Sequence, residues 1–299
     1  MSTKKEVLIL GYGEMGHAFQ ALLEPCHNVT IWNRSSVRGK IFVPLEQAAQ
    51  KAEVIIFCLP VNAHDPVLKT LLPIIKDDTL YISIAKGLNE SAQTAAEIFE
   101  NKIKNYSLIY GPMISEEICN MKMGFAQFGC SHKEHYKIIE EIFEKTRLYL
   151  KSSNDITGIS WSVIIKNVYA LAFGMIDELD LGKNVQGFLT VTALEELDGI
   201  VKSLGGNAES SYGLSGLGDL ITTGSSENSH HHTLGRKMAR GDYSDLKGEG
   251  VHTLLMVEKF NRFEWRKYPL FVAIRHIVRQ ETNARESILS LFINKGDLQ

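Results

Sequence analysis

A lysine stands inside the most apolar stretch of this 299-residue sequence: Lys166, flanked by Ile165, Val168, Ala170 and Leu171. A lysine so placed either snorkels to the surface or does chemistry. Desolvation lowers an ammonium's pKa, so Lys166 could give and take a proton near neutrality. Some fifty residues later runs Gly213-Leu214-Ser215-Gly216-Leu217-Gly218-Asp219. Three glycines ahead of an aspartate make a backbone that can approach a ligand closely. Asp219 either caps the apolar run behind it or holds Lys166 in place, and the two roles are compatible. Lys86-Gly87 and Gly111-Pro112 each follow an apolar run. In open α/β sheets ligands sit beyond the carboxyl ends of strands, which is where both segments fall. Together these residues suit proton transfer on a small substrate.

A second group of residues suits a dinucleotide. Gly11-Tyr12-Gly13-Glu14-Met15-Gly16 is G-x-G-x-x-G, directly after an apolar run and opening a helical pattern at 18–23. The first glycine permits the tight turn, the second admits a pyrophosphate and the third allows close helix–strand packing. The helix start offers free N–H groups to the anion. After the second apolar run come Trp32-Asn33-Arg34-Ser35-Ser36 and Arg38. An NAD site has an acidic residue there for the ribose 2′-hydroxyl. Two arginines and two serines favour the 2′-phosphate of NADP instead, the alternative being a solvated loop.

The elements that position these groups fall into two parts. Apolar runs at 7–10, 29–32, 54–59, 80–85 and 108–110 alternate with helical spacing at 65–75 and 91–103. Short continuous runs of this kind read as strands buried on both faces of a parallel sheet. The first half is therefore expected to be a doubly wound α/β domain, residues 1–155. From 156 to 299 strand signals are scarce. Helical patterns at 159–179, 188–204, 234–240, 252–263 and 270–280 predict an all-helical domain. The Gly- and Ser-rich span 205–229 reads as one long irregular stretch, of a length that tends to be functional.

Composition excludes several classes. Hydrophobic residues make up 44% and charged residues 22%, so the chain is not a disordered polyampholyte. Lys plus Arg number 32 against 35 Asp plus Glu, a net charge of −3, which disfavours a nucleic-acid binder. Continuous runs such as 54–59 fall far short of the ~20 apolar residues of a spanning helix. The run at 7–10 is too short for a signal-peptide core. Four cysteines without a C-x-x-C pair read as reduced thiols in a cytoplasmic protein.

At this point the sequence resembles the NAD(P)-dependent glycerol-3-phosphate dehydrogenases, the bacterial type in particular. The resemblance is carried by the fingerprint at Gly11, by Lys86-Gly87, by Gly111-Pro112 with Glu116-Glu117, and by Lys166-Asn167-Val168. Gly216-Leu217-Gly218-Asp219-Leu220 and Glu249-Gly250-Val251 complete it, all in family order. It implies a Rossmann domain, a helical substrate domain, and hydride transfer between NAD(P)H and dihydroxyacetone phosphate, feeding glycerophospholipid synthesis. It also implies Lys166 as proton donor and acceptor, Lys86 against substrate and cofactor, Asp219 as the ordering group and Glu249 against the cofactor. Glu14, Met15, Ser115 and His230 join the cofactor set, and Gly111, Met113, Ser229, His230 and His231 the substrate set. A homodimer follows by analogy.

The sequence departs from the family in three places. Where the family has serine, arginine and asparagine for the phosphate, this chain has Ser229-His230-His231. Histidine lacks arginine's fixed charged fork and is often neutral at pH 7. Ser229 is expected to cap a helix that runs to Arg240 and stops at Gly241. Met113 replaces a hydroxyl residue, and the segment 34–53 is short. The phosphate half of the substrate is therefore the divergent half. Two alternatives follow: an NADP-dependent dehydrogenase of another small hydroxy compound, or a silent cofactor-binding sensor. His230-His231-His232 point about 100° apart on a helix and do not make one metal site by themselves.

Overall fold

The computed structural model describes residues 4–37, 39–226 and 229–293. Arg38 lies outside them. Contacts divide the chain into two compact units. One is Met1–Lys86 with Gln93–Ile156, the other Gly87–Ala92 with Thr157–Gln299.

The first unit is built on a seven-stranded sheet. Its strands are β1 (Glu6–Leu10), β2 (Asn28–Trp32), β3 (Val54–Phe57), β4 (Leu80–Ser83), β5 (Tyr106–Tyr110), β6 (Gly124–Cys130) and β7 (Leu148–Ser152), in spatial order 2-1-3-4-5-6-7. Between them lie α1 (Glu14–Leu23), α2 (Leu45–Ala49), α3 (His64–Leu71), α4 (Ala95–Glu100), α5 (Ser115–Cys119) and α6 (Glu134–Phe143). The five apolar runs are the five parallel strands β1 to β5, in the order of a doubly wound sheet. Two strands were not expected. β6 pairs antiparallel with β5, and β7 pairs parallel with β6. The core runs through Ile9, Ile56, Ile82, Ile109 and Phe128, with Phe19 and Phe143 in edge contact across it. The chain leaves β1 to β2 on one side and continues to β3 on the other. That reversal opens a crevice at the carboxyl ends of β1 and β3, where the fingerprint lies.

The second unit, among the described residues, is helical: α7 (Ile156–Glu178), α8 (Gly182–Ser203), α9 (Ala208–Tyr212), α10 (Asp219–Ser225), α11 (His230–Ala239), α12 (Glu249–Phe260), α13 (Pro269–Val278) and α14 (Ala284–Ile293). α7 is long and apolar enough to cross a membrane, yet its most apolar stretch is wholly buried in this fold. It is the unit's central helix, buried on every side from Gly158 to Ile176. α11 lies directly on it. A Cβ on Gly174 would meet the His232 carbonyl oxygen at 2.0 Å, and one on Gly235 the Leu171 oxygen at 2.0 Å. Glycine at both positions lets the two backbones touch. At the far side, Glu196 of α8 accepts from the Leu270 and Phe271 amides, at 2.6 and 3.0 Å, and from the Tyr169 hydroxyl. A buried carboxylate thereby serves the free N-terminal amides of α13.

The span 205–229 is not the irregular loop its composition predicts. Its described residues wind into α9, a π-helical turn at Leu214–Gly218 and α10. The turn is closed by the Gly218 amide donating to the Gly213 oxygen at 3.0 Å. Such turns occur often at functional sites.

Candidate active site

The fingerprint glycines divide by what surrounds them. A Cβ on Gly11, whose φ is +100°, would meet the Cys58 oxygen at 2.5 Å, and one on Gly16 the Gly11 oxygen at 2.1 Å. Those two are required by packing. Gly13 has nothing within 4 Å of its Cβ position, so the loop is open there to a bound group. Gly13 also begins α1 with no side-chain cap, which leaves the first amides of the helix to an anion. This open cradle fits a dinucleotide pyrophosphate. Met15 is half-buried against the sheet core, and Glu14 is exposed, accepting from the Ser115 hydroxyl at 3.3 Å. A carboxylate repels a pyrophosphate, so any contact from Glu14 must come from its backbone. Arg34 is exposed just beyond β2.

Lys86 follows β4 and is half-buried, its ammonium donating to the Gly111 oxygen at 3.2 Å. Gly111 allows this edge to close: a Cβ there would meet the Phe125 oxygen at 2.5 Å. Met113 is 5% exposed and packs in the sheet core with Ile118 and Ala126.

In the helical unit, the Lys166 ammonium lies 2.7 Å from an Asp219 carboxylate oxygen, with side-chain exposures of 3% and 4%. The same nitrogen donates to the Thr223 hydroxyl at 2.5 Å. Asp219 and Thr223 are four apart on α10 and so share a face. Asp219 is the first residue of α10 rather than its cap, which is Gly218. Taking two charges from water costs several kcal/mol each, and their attraction with hydrogen bonds to the remaining groups offsets it. The carboxylate favours the ammonium form that burial alone would disfavour. Next to Lys166, Asn167 is 1% exposed and donates to Glu249 Oε2 at 3.3 Å. Its Oδ1 is buried without a partner among the described residues. A buried amide oxygen left unpaired costs about 1–3 kcal/mol unless a ligand satisfies it. Thr223 and this Asn167 oxygen are the groups the sequence reading missed. The only signals were the position of Thr223 one turn past Asp219 and the adjacency of Asn167 to Lys166.

The three histidines do different work. Ser229 precedes α11 but makes no side-chain capping bond. His230 is exposed and its Nε2 donates to the Lys247 oxygen at 2.6 Å. His231 Nε2 accepts from the Gly250 amide at 3.3 Å, which takes one of the free donors of α12. His232 is buried and bonds Asp177 of α7 at 2.8 Å. His230 and His231 thus tie the start of α11 to the start of α12, where Glu249 stands. Gly87 belongs to this unit too, with Glu249 about 4 Å from its Cβ position. Among the described residues no group of three His, Cys, Asp or Glu side chains is placed to hold a metal.

Comparison with known proteins agrees with these segments. The family model described as NAD-dependent glycerol-3-phosphate dehydrogenase N-terminus matches residues 40–136, and the C-terminal model of that family matches 155–289. A glycerol-3-phosphate dehydrogenase [NAD(P)+] of Fusobacterium nucleatum is 26% identical, covering 98% of each chain. One of Listeria innocua is 25% identical over 99% of this chain and 98% of its own. Among solved structures, the glycerol-3-phosphate dehydrogenase of Coxiella burnetii superposes with a TM-score of 0.84 at 21% identity, covering 97% of this chain and 99% of that one. That of Saccharomyces cerevisiae gives 0.76 at 17% identity, over 96% and 99%. The two family models together match most of the chain, which therefore belongs to the NAD-dependent glycerol-3-phosphate dehydrogenase family.

Proposed function

We propose that this protein interconverts dihydroxyacetone phosphate and sn-glycerol 3-phosphate, using NADP(H) in preference to NAD(H). The observation that carries the reading is the buried Lys166–Asp219–Thr223 constellation. Ketone reduction needs a hydride on carbon and a proton on oxygen. A dinucleotide held by its pyrophosphate at the glycine cradle would supply the hydride from its nicotinamide. Lys166 gives its proton to the developing alkoxide and stabilises the charge that builds there. Asp219 and Thr223 fix the ammonium before transfer and favour its reprotonation afterwards. Lys86 holds substrate and cofactor, Glu249 the cofactor, and the Asn167 Oδ1 accepts from a substrate or cofactor group. Arg34 supports NADP, since no carboxylate follows β2 to bind a ribose hydroxyl.

The cytoplasm suits the four free cysteines, and two helical units pairing into a homodimer suits the family analogy. The product would serve as backbone for glycerophospholipids. A second reading keeps the chemistry with weaker phosphate recognition. It is favoured by His230, whose Nε2 is already committed to the Lys247 carbonyl. The test is NADPH and NADH oxidation with dihydroxyacetone phosphate, followed by absorbance. Turnover that Lys166→Ala lowers 10²–10⁴-fold is expected of a general acid. NADPH binding without turnover, together with turnover of an unphosphorylated ketone, would transfer the assignment to the second reading.

A further inference from the structure

The position after β2 where a ribose hydroxyl would be read is occupied by Asn33, a neutral amide already bonded within the chain. Asn33 Oδ1 accepts from the Tyr12 amide at 3.1 Å, and its Nδ2 donates to the Ser35 oxygen at 2.8 Å. The same bond ties Tyr12, the second residue of the glycine loop, to the end of β2. The chain beyond Arg34 then folds back. Val37 and Lys40 form an antiparallel bridge, closed by the Lys40 amide donating to the Val37 oxygen at 2.9 Å. Gly39 lies between them with φ +81°, a conformation few side chains permit.

This hairpin returns Lys40 to the glycine loop. Its ammonium sits 3.8 Å from the centroid of the Tyr12 ring and also bonds the Tyr12 hydroxyl. Gln20 Oε1 is 3.5 Å away. The ring is held by His17 at 3.7 Å and Phe42 at 5.6 Å. The partners of Lys40 among the described residues are a phenol, a ring face and an amide, all neutral. An exposed ammonium is thus placed beside the end of β2 with its charge uncompensated, on the side where the adenosine ribose is recognised.

We infer that Lys40 is the specificity-determining residue that receives the 2′-phosphate of NADP(H), with Arg34 beside it. The inference rests on the cofactor reading above and deepens it. The short segment after Arg34 becomes a device in its own right: it brings a cation back to the glycine loop. Asn33, a neutral amide already bonded to Tyr12 and Ser35, does not offer a free 2′-hydroxyl the carboxylate that an NAD site provides.

The test is a set of binding titrations of the intact protein with NADPH, NADH, 2′,5′-ADP and 5′-AMP, by calorimetry. Lys40→Gln is expected to weaken NADPH and 2′,5′-ADP roughly ten- to a hundredfold, the loss of one charge-assisted bond, and to leave NADH and 5′-AMP unchanged. Lys40→Arg should keep the selectivity. Equal weakening of all four ligands would overturn the inference, since Lys40 would then only brace Tyr12. Unchanged affinities, or a parent protein that does not distinguish 2′,5′-ADP from 5′-AMP, would overturn it as well. None of these titrations uses a ketone. A protein that discriminates as expected but fails to reduce dihydroxyacetone phosphate would lose the proposed activity and keep this assignment.

Discussion

Lys166 and Asp219 meet at 2.7 Å in a site from which water is almost wholly excluded. Burial makes each charge costly, and the other offsets much of that cost. Asp219→Ala leaves a buried ammonium without its counter-ion and is expected to cost about 3–5 kcal/mol of stability as well as activity. Replacing both, as Lys166→Met with Asp219→Leu, should restore most of the stability and none of the turnover. Urea denaturation beside a rate assay separates the two effects. A double variant no more stable than Asp219→Ala would show that the pair is not the source of the loss.

Thr223 has a smaller part. Thr223→Val keeps the shape and removes one acceptor from the ammonium, while Asp219 still compensates the charge. The rate is expected to fall on the order of tenfold, with a stability change of about 1 kcal/mol. Comparing kcat with KM for the variant tests this. A change confined to KM would place Thr223 with the substrate rather than with the proton.

The proposal that His230 faces the phosphate end of the substrate can be tested by substitution. His230→Arg would restore a fixed charge at the start of α11, and KM for dihydroxyacetone phosphate should fall by roughly tenfold or more at constant kcat. If KM stays where it was, the phosphate is not bound at this helix start.

Stability should also depend on pH through His64. This imidazole is fully buried against Phe57 and Phe99 and bonded to Ser83, and burial pushes its pKa down to about 4. Between 6.5 and 4 the unfolded chain takes up a proton that the folded protein refuses. The contribution is whole above pH 6.5 and is lost as pH falls through 4. The gap corresponds to roughly 3 kcal/mol. The urea midpoint of the parent should decline over that window, and that of His64→Gln should decline less. Parallel curves would remove His64 from the account.

Glu196 is a structural counterpart. Burial raises its carboxyl pKa, opposed by the Leu270, Phe271 and Tyr169 bonds. Glu196→Leu strands three buried donors and is expected to destabilise the helical unit by about 3 kcal/mol or more. A thermal transition unmoved by the substitution would mean that α13 finds its amides other partners.

Much of this was legible in the residues. β1 to β5 are continuous apolar runs because both faces of each strand are covered, and such runs are hard to mistake. β6 was not legible because Gly124, Gln127 and Gly129 break its pattern, and β7 because only Leu148 of its five residues is buried. Lys166 stood out because charge inside an apolar helix demands a reason. Thr223 reaches that lysine from one turn past Asp219 on α10, a helix whose approach through the π-helical turn glycine-rich composition disguises as a loop. Met113 stands in the motif and also packs into the sheet core, a second role its place in the motif does not announce. The return of Lys40 to Tyr12 depends on one bridge across a glycine, which no periodicity announces.

The backbone contact of α7 with α11 through Gly174 and Gly235 has a consequence for motion. A helix covered on all sides cannot open by fraying a face to solvent, so amides around Lys166 should exchange with deuterium only when the helical unit unfolds as a whole. The proposed general acid would then sit in the slowest-exchanging segment of that unit.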